Sequence, residues 1–383
     1  MQLMMNEETA MHGILAISML YEGFEPGWKN ELPNETALNH YNHAIRFVAT
    51  KELQDSTILV ASVLFTCIEF LLGNKEAAIT HCRYGIMMSG SSVTQDRTVC
   101  AMLRHLSIFP YFFSTAEIPL PANGPCDFRF KSALVAAFEM DELMGRAIRL
   151  VRSLDAYRLG ASPEPVSVGT WKVREMLLQD LTAWKVVFTA LSLHPVEPTD
   201  CRSLLLIRHL VCWIWVNIAP ERDERASDAF REGFAQIVGL AKGPSQDVSR
   251  PKFTFDMGIA PLLHFVVIKC RHLQIRLDAL EVIRTMGNAR ESLWDTATMY
   301  AIGKCLIEKE HGILVTIGMS VVENELPTDD RRVRDSYVED GVSEHVNEHG
   351  EVILRRKIYL FVREGATIVK RAHWLTRTVS RHG

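Results

Sequence analysis

Recognisable catalytic and metal-binding motifs are scarce in this chain of 383 residues. No two of its eight cysteines are separated by two residues, which excludes the Cys-x-x-Cys pairs of zinc ribbons and thioredoxin-like redox sites. The chain also contains no P-loop, no dinucleotide-binding fingerprint and no nucleophile elbow. These absences leave an enzyme without positive support, and we expect no catalytic residues and no cofactor.

A large excess of charge and long apolar runs are also missing. The net charge of −4 argues against a surface that binds nucleic acid over its whole extent. The most apolar segment, His209 to Ala219, is too short to span a bilayer, so we expect no membrane span. Several cysteines lie inside apolar runs, as is typical of buried thiols in a reducing, intracellular compartment.

Helical periodicity dominates the first 312 residues. The stripe formed by Leu38, Tyr41, Ile45 and Val48 has the spacing of one helical face. Two further helical runs meet at Gly73-Asn74, and this predicts an antiparallel helix hairpin. We therefore predict an all-α fold of packed antiparallel helix pairs over residues 1–312, with a possible internal boundary in the Pro-, Gly- and Ser-rich loop 155–169.

Residues 313–383 differ from the rest, because a highly charged stretch is followed by β-branched and aromatic residues. This pattern predicts a charged loop, a short β-hairpin with its turn at His349-Gly350, and a basic C-terminal helix or tail packed on the helical domain. A basic face of this kind is more often solvated than bound to phosphate. Its basic residues are Arg355, Arg356, Lys357, Arg363, Lys370, Arg371, Arg377 and Arg381.

Two histidine patterns could in principle bind a metal. The stretch "HVNEH", His345 to His349, matches the H-x-x-E-H zinc pattern, but it lies between glycines, has no apolar stripe and precedes a strand. His40 and His43 are three residues apart on a helix and could be joined by His81. We interpret the first as a polar turn and the second as histidines at the edge of the core, so we expect no metal.

The stretch "KCRHLQIR" places Cys270, Arg271 and Arg276 at the end of an apolar segment. Such a cluster is either a site for a metal, a nucleophile or an anion, or a joint between two helices. We favour the joint, with one helix from Pro261 to about Cys270 and a second from about Leu273 to Met286. An arginine at the junction can donate to carbonyls that lack partners within a helix.

The segment that follows this junction offers two acids, Glu291 and Asp295. A guanidinium can bind carbonyl oxygens and a carboxylate at the same time. We therefore predict that Arg271 or Arg276 pairs with Glu291 or Asp295 and locks three consecutive helices together.

Two segments, in the right order and at plausible spacing, resemble the regulatory, middle-homology-type domain of fungal zinc-binuclear-cluster transcription factors. The first is "ALNHYNHAIRFVATK…STILVASVLFTCIEFLLGNKEAAITHCRYGIMM". The second contains Lys269-Cys270-Arg271, Ile275-Arg276, Ala279-Leu280, Arg290-Glu291 and Trp294-Asp295. Members of this family often have Gly at the position of Ser292.

The resemblance implies transcription regulation in the nucleus through protein partners, and it is compatible with a small effector and with a homodimer. Family members usually begin with six cysteines that hold two zinc ions and dock a helix in the major groove. This sequence contains no such cluster, so we expect a fragment, an isoform or a shortened member of the family that contacts DNA only indirectly. The alternatives are a stand-alone helical scaffold that dimerises with a complete regulator, and an enzyme with an unrecognised all-α site.

Overall fold

We describe the protein from a computed structural model, which defines residues 8–25, 27–28, 34–91, 97–113, 128–191, 199–243, 251–322, 325–349 and 351–379. The helices in these ranges are α1 (Glu8–Glu22), α2 (Glu35–Thr50), α3 (Asp55–Leu72), α4 (Lys75–Ser91), α5 (Arg97–Leu106), α6 (Phe109–Phe113), α7 (Ala133–Ser153), α8 (Asp155–Arg158), α9 (Val168–Ala190), α10 (Thr199–Ile218), α11 (Arg231–Ala241), α12 (Ala260–Lys269), α13 (Leu273–Met286) and α14 (Thr296–His311). The strands are β1 (Phe253–Thr254), β2 (Arg290–Glu291), β3 (Trp294–Asp295), β4 (Val333–Val338), β5 (Ser343–Val346), β6 (Val352–Glu364) and β7 (Thr367–Val379). The prediction of a mainly helical protein is confirmed, but the all-α class was wrong in part, because two sheets are also present.

The predicted helix hairpin is formed by α3 and α4, which are joined at Gly73-Asn74. Helix α3 is apolar on most sides, and it packs against α1, α4 and α5. Gly85 of α4 lies where a Cβ atom would approach Leu103 Cδ2 to 2.7 Å and Ser62 Cβ to 3.0 Å. The absence of a side chain at this glycine lets α4 pack closely against α3 and α5.

Helix α7 crosses the centre of the helical part and contacts α5, α6, α9 and α10. Ser132 caps its first turn by accepting a hydrogen bond from the Val135 N–H. One apolar core includes residues on both sides of the loop 155–169, among them Leu154 and Leu177. The sequences before and after this loop therefore share one buried interior.

Among the described residues, two helices are long and apolar enough for a membrane span by length and composition alone. They are α3, with a mean hydropathy of 1.8, and the Cys201–Ile218 part of α10, with a mean hydropathy of 1.3. In each of them, 56% of the residues are buried inside the protein. Packing in the core accounts for this apolar character, since core helices of folded proteins have the same composition.

A small sheet joins the segment before α12 to the segment before α14. Strand β1 pairs in parallel with β2, and β2 pairs antiparallel with β3. In this sheet Arg290 lies opposite Asp295, and Glu291 lies opposite Trp294. The two residue pairs of the second resemblance segment therefore form the two arms of one tight hairpin.

The larger sheet is built around β6, which pairs antiparallel with β4, β5 and β7. The predicted short hairpin is present as β5 and β6, with Val346 opposite Val352, while Gly350 of the predicted turn lies outside the described residues. The predicted basic helix or tail is instead strand β7, paired with β6 over thirteen positions. Two residues connect these strands, and the first of them, Gly365, has a φ of 61°.

The larger sheet covers a second, smaller apolar core. Ile302 and Leu306 of α14 contribute to it from the helical side, and Ile358 and Leu360 of β6 from the sheet. Trp28 also lies in this cluster. The C-terminal sheet is therefore packed against α14 through buried apolar residues.

Candidate functional site

The link between α12 and α13 consists of Cys270, Arg271 and His272, of which Cys270 and Arg271 are buried. Both helix ends fall within about one residue of the positions expected from Pro261 and Gly287. Burial raises the pKa of the Cys270 thiol to about 11. A thiol with such a pKa stays protonated near neutral pH, which disfavours the nucleophile and metal-ligand interpretations of this residue.

Arg271 and Arg276 are both 0% exposed, and both contact Glu310 near the end of α14. The Nη1 atom of Arg276 lies 2.6 Å from Oε2 of Glu310, and Nε of Arg271 lies 3.1 Å from the same oxygen. The second oxygen, Oε1, accepts a hydrogen bond of 2.7 Å from the Val333 N–H. Glu310 therefore joins two helices and strand β4 at one carboxylate.

The two guanidinium groups also donate to backbone carbonyls at the junction. Arg276 Nε donates to the Val267 carbonyl at 2.8 Å, and Arg271 donates to the Ile268 carbonyl. Arg271 Nη2 donates to the Val333 carbonyl at 3.0 Å. The geometry is that of a helix joint, in which arginines bind the last carbonyls of the preceding helix.

The predicted acidic partners were wrong. Glu291 accepts hydrogen bonds from the Ala260 N–H (3.0 Å) and from the Asn288 N–H (3.3 Å), and so caps the start of α12. Asp295 caps α14 by accepting from the Thr298 N–H at 2.7 Å. Glu291 serves a backbone donor 31 residues away as well as a nearby one, and Asp295 serves the N–H of Thr298. The arginines pair instead with Glu310 and Glu224.

Burial raises the pKa of Glu291 to about 7, although its hydrogen bonds with Ala260 and Asn288 oppose the shift. A Cβ atom at Gly258 would lie 2.6 Å from the carboxylate of Glu291, so the surrounding backbone closes tightly on this side chain. Between Glu291 and the end of the hairpin, Ser292 has a φ of 55° and donates a hydrogen bond of 2.5 Å to the Phe255 carbonyl. This left-handed conformation is one that glycine adopts without strain.

Trp294 packs against aromatic residues of α6. Its ring centroid lies 5.3 Å from that of Phe109 and 5.1 Å from that of Phe113. Phe109 in turn lies 4.8 Å from Phe70 of α3. The two segments that carry the family resemblance therefore meet through one shared phenylalanine.

Glu224 extends the charged cluster beyond the junction. Lys269 Nζ lies 2.8 Å from Glu224 Oε1, and Arg271 Nη2 lies 3.4 Å from Glu224 Oε2. Burial alone would raise the pKa of Glu224, but Lys269 and Arg271 outweigh it and lower the pKa. Lys269 also donates to the Arg334 carbonyl at 2.9 Å. The helix junction and strand β4 are therefore held by one network of buried charges.

A cavity of ≈ 210 Å³ runs along α12 next to this network. Apolar side chains from five helices and β3 line most of it, including Phe112, Met144, Val211, Phe265, Trp294 and Met299. Charged side chains also line it, namely Arg152, Asp155, Arg158, Lys269, Arg334 and Asp335. A mostly apolar cavity with a few convergent polar groups is the usual form of a small-molecule site.

Three residues that line the cavity each contain a buried nitrogen atom with no hydrogen-bond partner among the described residues: Arg158 Nε, Arg334 Nε and His264 Nδ1. Burial lowers the pKa of His264 to about 4, so its imidazole is neutral at physiological pH. Two of the three atoms are obligatory donors, since a guanidinium has no acceptor. The lining of the cavity is suited to a small molecule with an apolar body and a polar end.

The two histidine patterns have different outcomes. "HVNEH" forms the end of β5 and a turn in which Asn347 Oδ1 accepts hydrogen bonds from the N–H groups of His349 and Glu351, as expected for a polar turn. His81 does not join His40 and His43, because its Nε2 lies 3.1 Å from the Tyr41 hydroxyl. His40 and His43 instead contact a third histidine, His12.

Sequence reasoning missed Glu224 and Glu310, the acids that the junction uses. Glu310 could have been found, because it continues the buried stripe of Met299, Gly303 and Leu306 at helical spacing. A carboxylate in a core position requires a buried cation or donor. Glu224 begins a short 3-10 helix in a polar loop and carries no comparable signal.

Comparisons with protein-family models, with curated proteins and with solved structures found no match. The function must therefore be argued from the junction, the cavity and the residues that form them.

Proposed function

We propose that this chain is a regulatory domain in transcription, of the fungal zinc-binuclear-cluster type; its 383 residues contain no six-cysteine cluster. The resemblance of two sequence segments supports this proposal. The single structural observation in its favour is that these segments converge, since Phe70 of the first and Trp294 of the second both contact Phe109. Action in the nucleus, through a full-length family member or the transcription machinery, follows from the same proposal.

The cavity offers such a domain a place for a small effector. Lys269 lines the cavity and also binds Glu224 in the charged network, so a ligand there touches the joint between α12 and α13 directly. A ligand that favours one arrangement of this joint over another changes the population of the two arrangements. In this proposal the junction between α12 and α13 responds to the ligand. Strand β4, which contacts the junction and belongs to the C-terminal sheet, transmits the change to that sheet.

A reporter assay tests the proposal. The full chain is fused between a heterologous DNA-binding domain and an activation domain, and an inert folded domain of similar size replaces it in the reference fusion. We expect the chain to change reporter output severalfold relative to the reference, at equal protein abundance. Equal output from the two fusions would contradict a regulatory function.

A matched pair of variants assigns the effect to the junction. Lys269→Gln removes the residue shared by the cavity and the network, whereas Lys242→Gln removes an exposed ion pair with Asp278 at 3.0 Å. We expect only Lys269→Gln to alter reporter output. An effect of the same size from both variants would remove the junction from the mechanism.

The scaffold function is supported by one observation, the edge strand β7, which pairs only with β6 among the described residues and carries Trp374 at 50% exposure. Open strand edges pair readily with other chains. A chain that is dimeric by light scattering but leaves reporter output at the level of the inert domain would favour the scaffold over the regulatory function.

A further inference from the structure

Three histidines and one glutamate meet where α1 packs on α2. The ligand atoms of Glu8, His12 and His43 all lie within 4.8 Å of one another. His12 Nδ1 lies 2.6 Å from Nδ1 of His40, and the rings of His12 and His43 stack with centroids 4.2 Å apart. Glu8, His12 and His43 are the one group of at least three histidine, cysteine or acidic residues in the described part of the chain whose ligand atoms all lie this close together.

The spacing of these residues on the two helices explains why they converge. Glu8 and His12 are four residues apart on α1, and His40 and His43 are three residues apart on α2. Residues at these spacings share one helical face. The packing of α1 on α2 then brings the two faces together.

The close contact between imidazoles restricts their protonation. Two nitrogen atoms at 2.6 Å can share one proton but cannot both carry one without repulsion. Neutral imidazole is the form that binds a metal ion.

We propose that Glu8, His12 and His43 bind one divalent transition-metal ion, of which Zn²⁺ fits best, and that His40 orients the His12 ring. Two imidazole nitrogens and a carboxylate oxygen are a usual ligand set for Zn²⁺, and water would take the fourth position. The contact with His40 occupies one nitrogen of His12, and a partner on the second ring nitrogen is the common way to orient a metal-binding histidine.

The ligand atoms need only a small movement to reach coordination distance. Around Zn²⁺ with bonds of about 2.0–2.1 Å, tetrahedral ligand atoms lie roughly 3.3 Å apart. The side chains of Glu8 and His43 are 46% and 53% exposed, so they can change rotamer without disturbing the core. The ion would tie α1 to α2. Tyr21 near the end of α1 and Phe24 just after it both pack on Phe253 of β1.

Zinc titration of the full chain, after treatment with a chelator, tests this site. We expect one Zn²⁺ per chain in competition with a chromophoric zinc chelator, and a higher Tm in the presence of zinc. His43→Gln should weaken binding by about tenfold or more and abolish the Tm shift, because one ligand is lost. Because His43 is exposed, we expect His43→Gln to fold like the wild type, so that weaker zinc binding would not result from unfolding. Circular dichroism checks the helical content of the variant.

The double variant His345→Gln/His349→Gln is the matched control, since both of these histidines are exposed and belong to a zinc-like sequence pattern. It should bind zinc as the wild type does. Absence of stoichiometric binding by the wild type, undiminished binding by His43→Gln, or loss of binding in the control would each overturn the proposal. The outcome is independent of the reporter assay, because it measures the ion and not transcription.

Discussion

Arg276 Nη1 lies 2.6 Å from Oε2 of Glu310, and the two residues are separated by 34 positions in sequence. The same oxygen is 3.1 Å from Arg271 Nε. Burial lowers the pKa of Arg276, while Glu310 opposes this shift. A carboxylate between two buried guanidinium groups holds the junction in place because neither cation has access to water.

Replacing Glu310 should therefore be severely destabilising. Glu310→Gln leaves two buried cations with less compensation, and we expect a loss of about 3–5 kcal/mol in the free energy of unfolding. The control is Glu281→Gln, which breaks the exposed Glu281–Arg284 pair on α13 and should cost less than about 1 kcal/mol. Urea denaturation measures both, and equal losses would show that the shared carboxylate has no special role.

Reversing the charge at Glu291 should also destabilise the protein, although the reason is the capping of α12 and not an arginine partner. Glu291→Lys removes the acceptor for the Ala260 and Asn288 N–H groups and places a cation at a position that is 0% exposed. We expect a loss of several kcal/mol, about 3 or more. A melting temperature equal to that of the wild type would contradict this role.

Glu291 should also make stability depend on pH. Its folded pKa of about 7 lies above the value of an unfolded glutamate, so its contribution is largest at low pH and falls as pH rises from about 4.5 to 7. The expected fall is on the order of 1–3 kcal/mol. Glu291→Gln does not titrate, and the difference in unfolding free energy between wild type and variant should change across this window and stay constant above it.

His105 should make stability depend on pH in a higher range than Glu291 does. Burial lowers its pKa, but hydrogen bonds with Asp141 (2.8 Å) and Asp256 (2.7 Å) outweigh burial and raise the pKa to about 9. The stabilisation is fully present below the unfolded value near 6.5 and is lost as pH rises through about 9. Thermal melts of wild type and His105→Asn between pH 6 and 9.5 should converge at the alkaline end; parallel curves would exclude the charged histidine.

Ser292 allows a test of backbone strain. Ser292→Ala loses the hydrogen bond to the Phe255 carbonyl and keeps a side chain at a φ of 55°, whereas Ser292→Gly loses the same bond and relieves the strain. We expect Gly to be more stable than Ala by about 0.5–1 kcal/mol. Denaturant midpoints compare the two variants directly, and the reverse order would mean that this backbone conformation is not strained.

Local patterns were sufficient to predict a mainly helical chain and the ends of a few helices. The hairpin at Gly73-Asn74 and the junction between Lys269 and Leu273 both lie where periodicity, proline and glycine place them. The prediction that an arginine at the junction donates to carbonyls is also confirmed, since Arg271 donates to the Ile268 carbonyl. These features depend on contacts within a few residues, which a single sequence displays.

The partners of the buried charges and the fate of the basic C-terminal segment were decided only by tertiary structure. Arg271 contacts Glu224 from 47 residues away, and no local signal distinguishes that acid from the nearer Glu291 and Asp295. The segment Thr367–Val379 became a strand because β6 offered it a pairing edge and Gly365 allowed a two-residue turn. Helices satisfy their hydrogen bonds internally, whereas a strand and a buried ion pair acquire their partners only when distant parts of the chain meet.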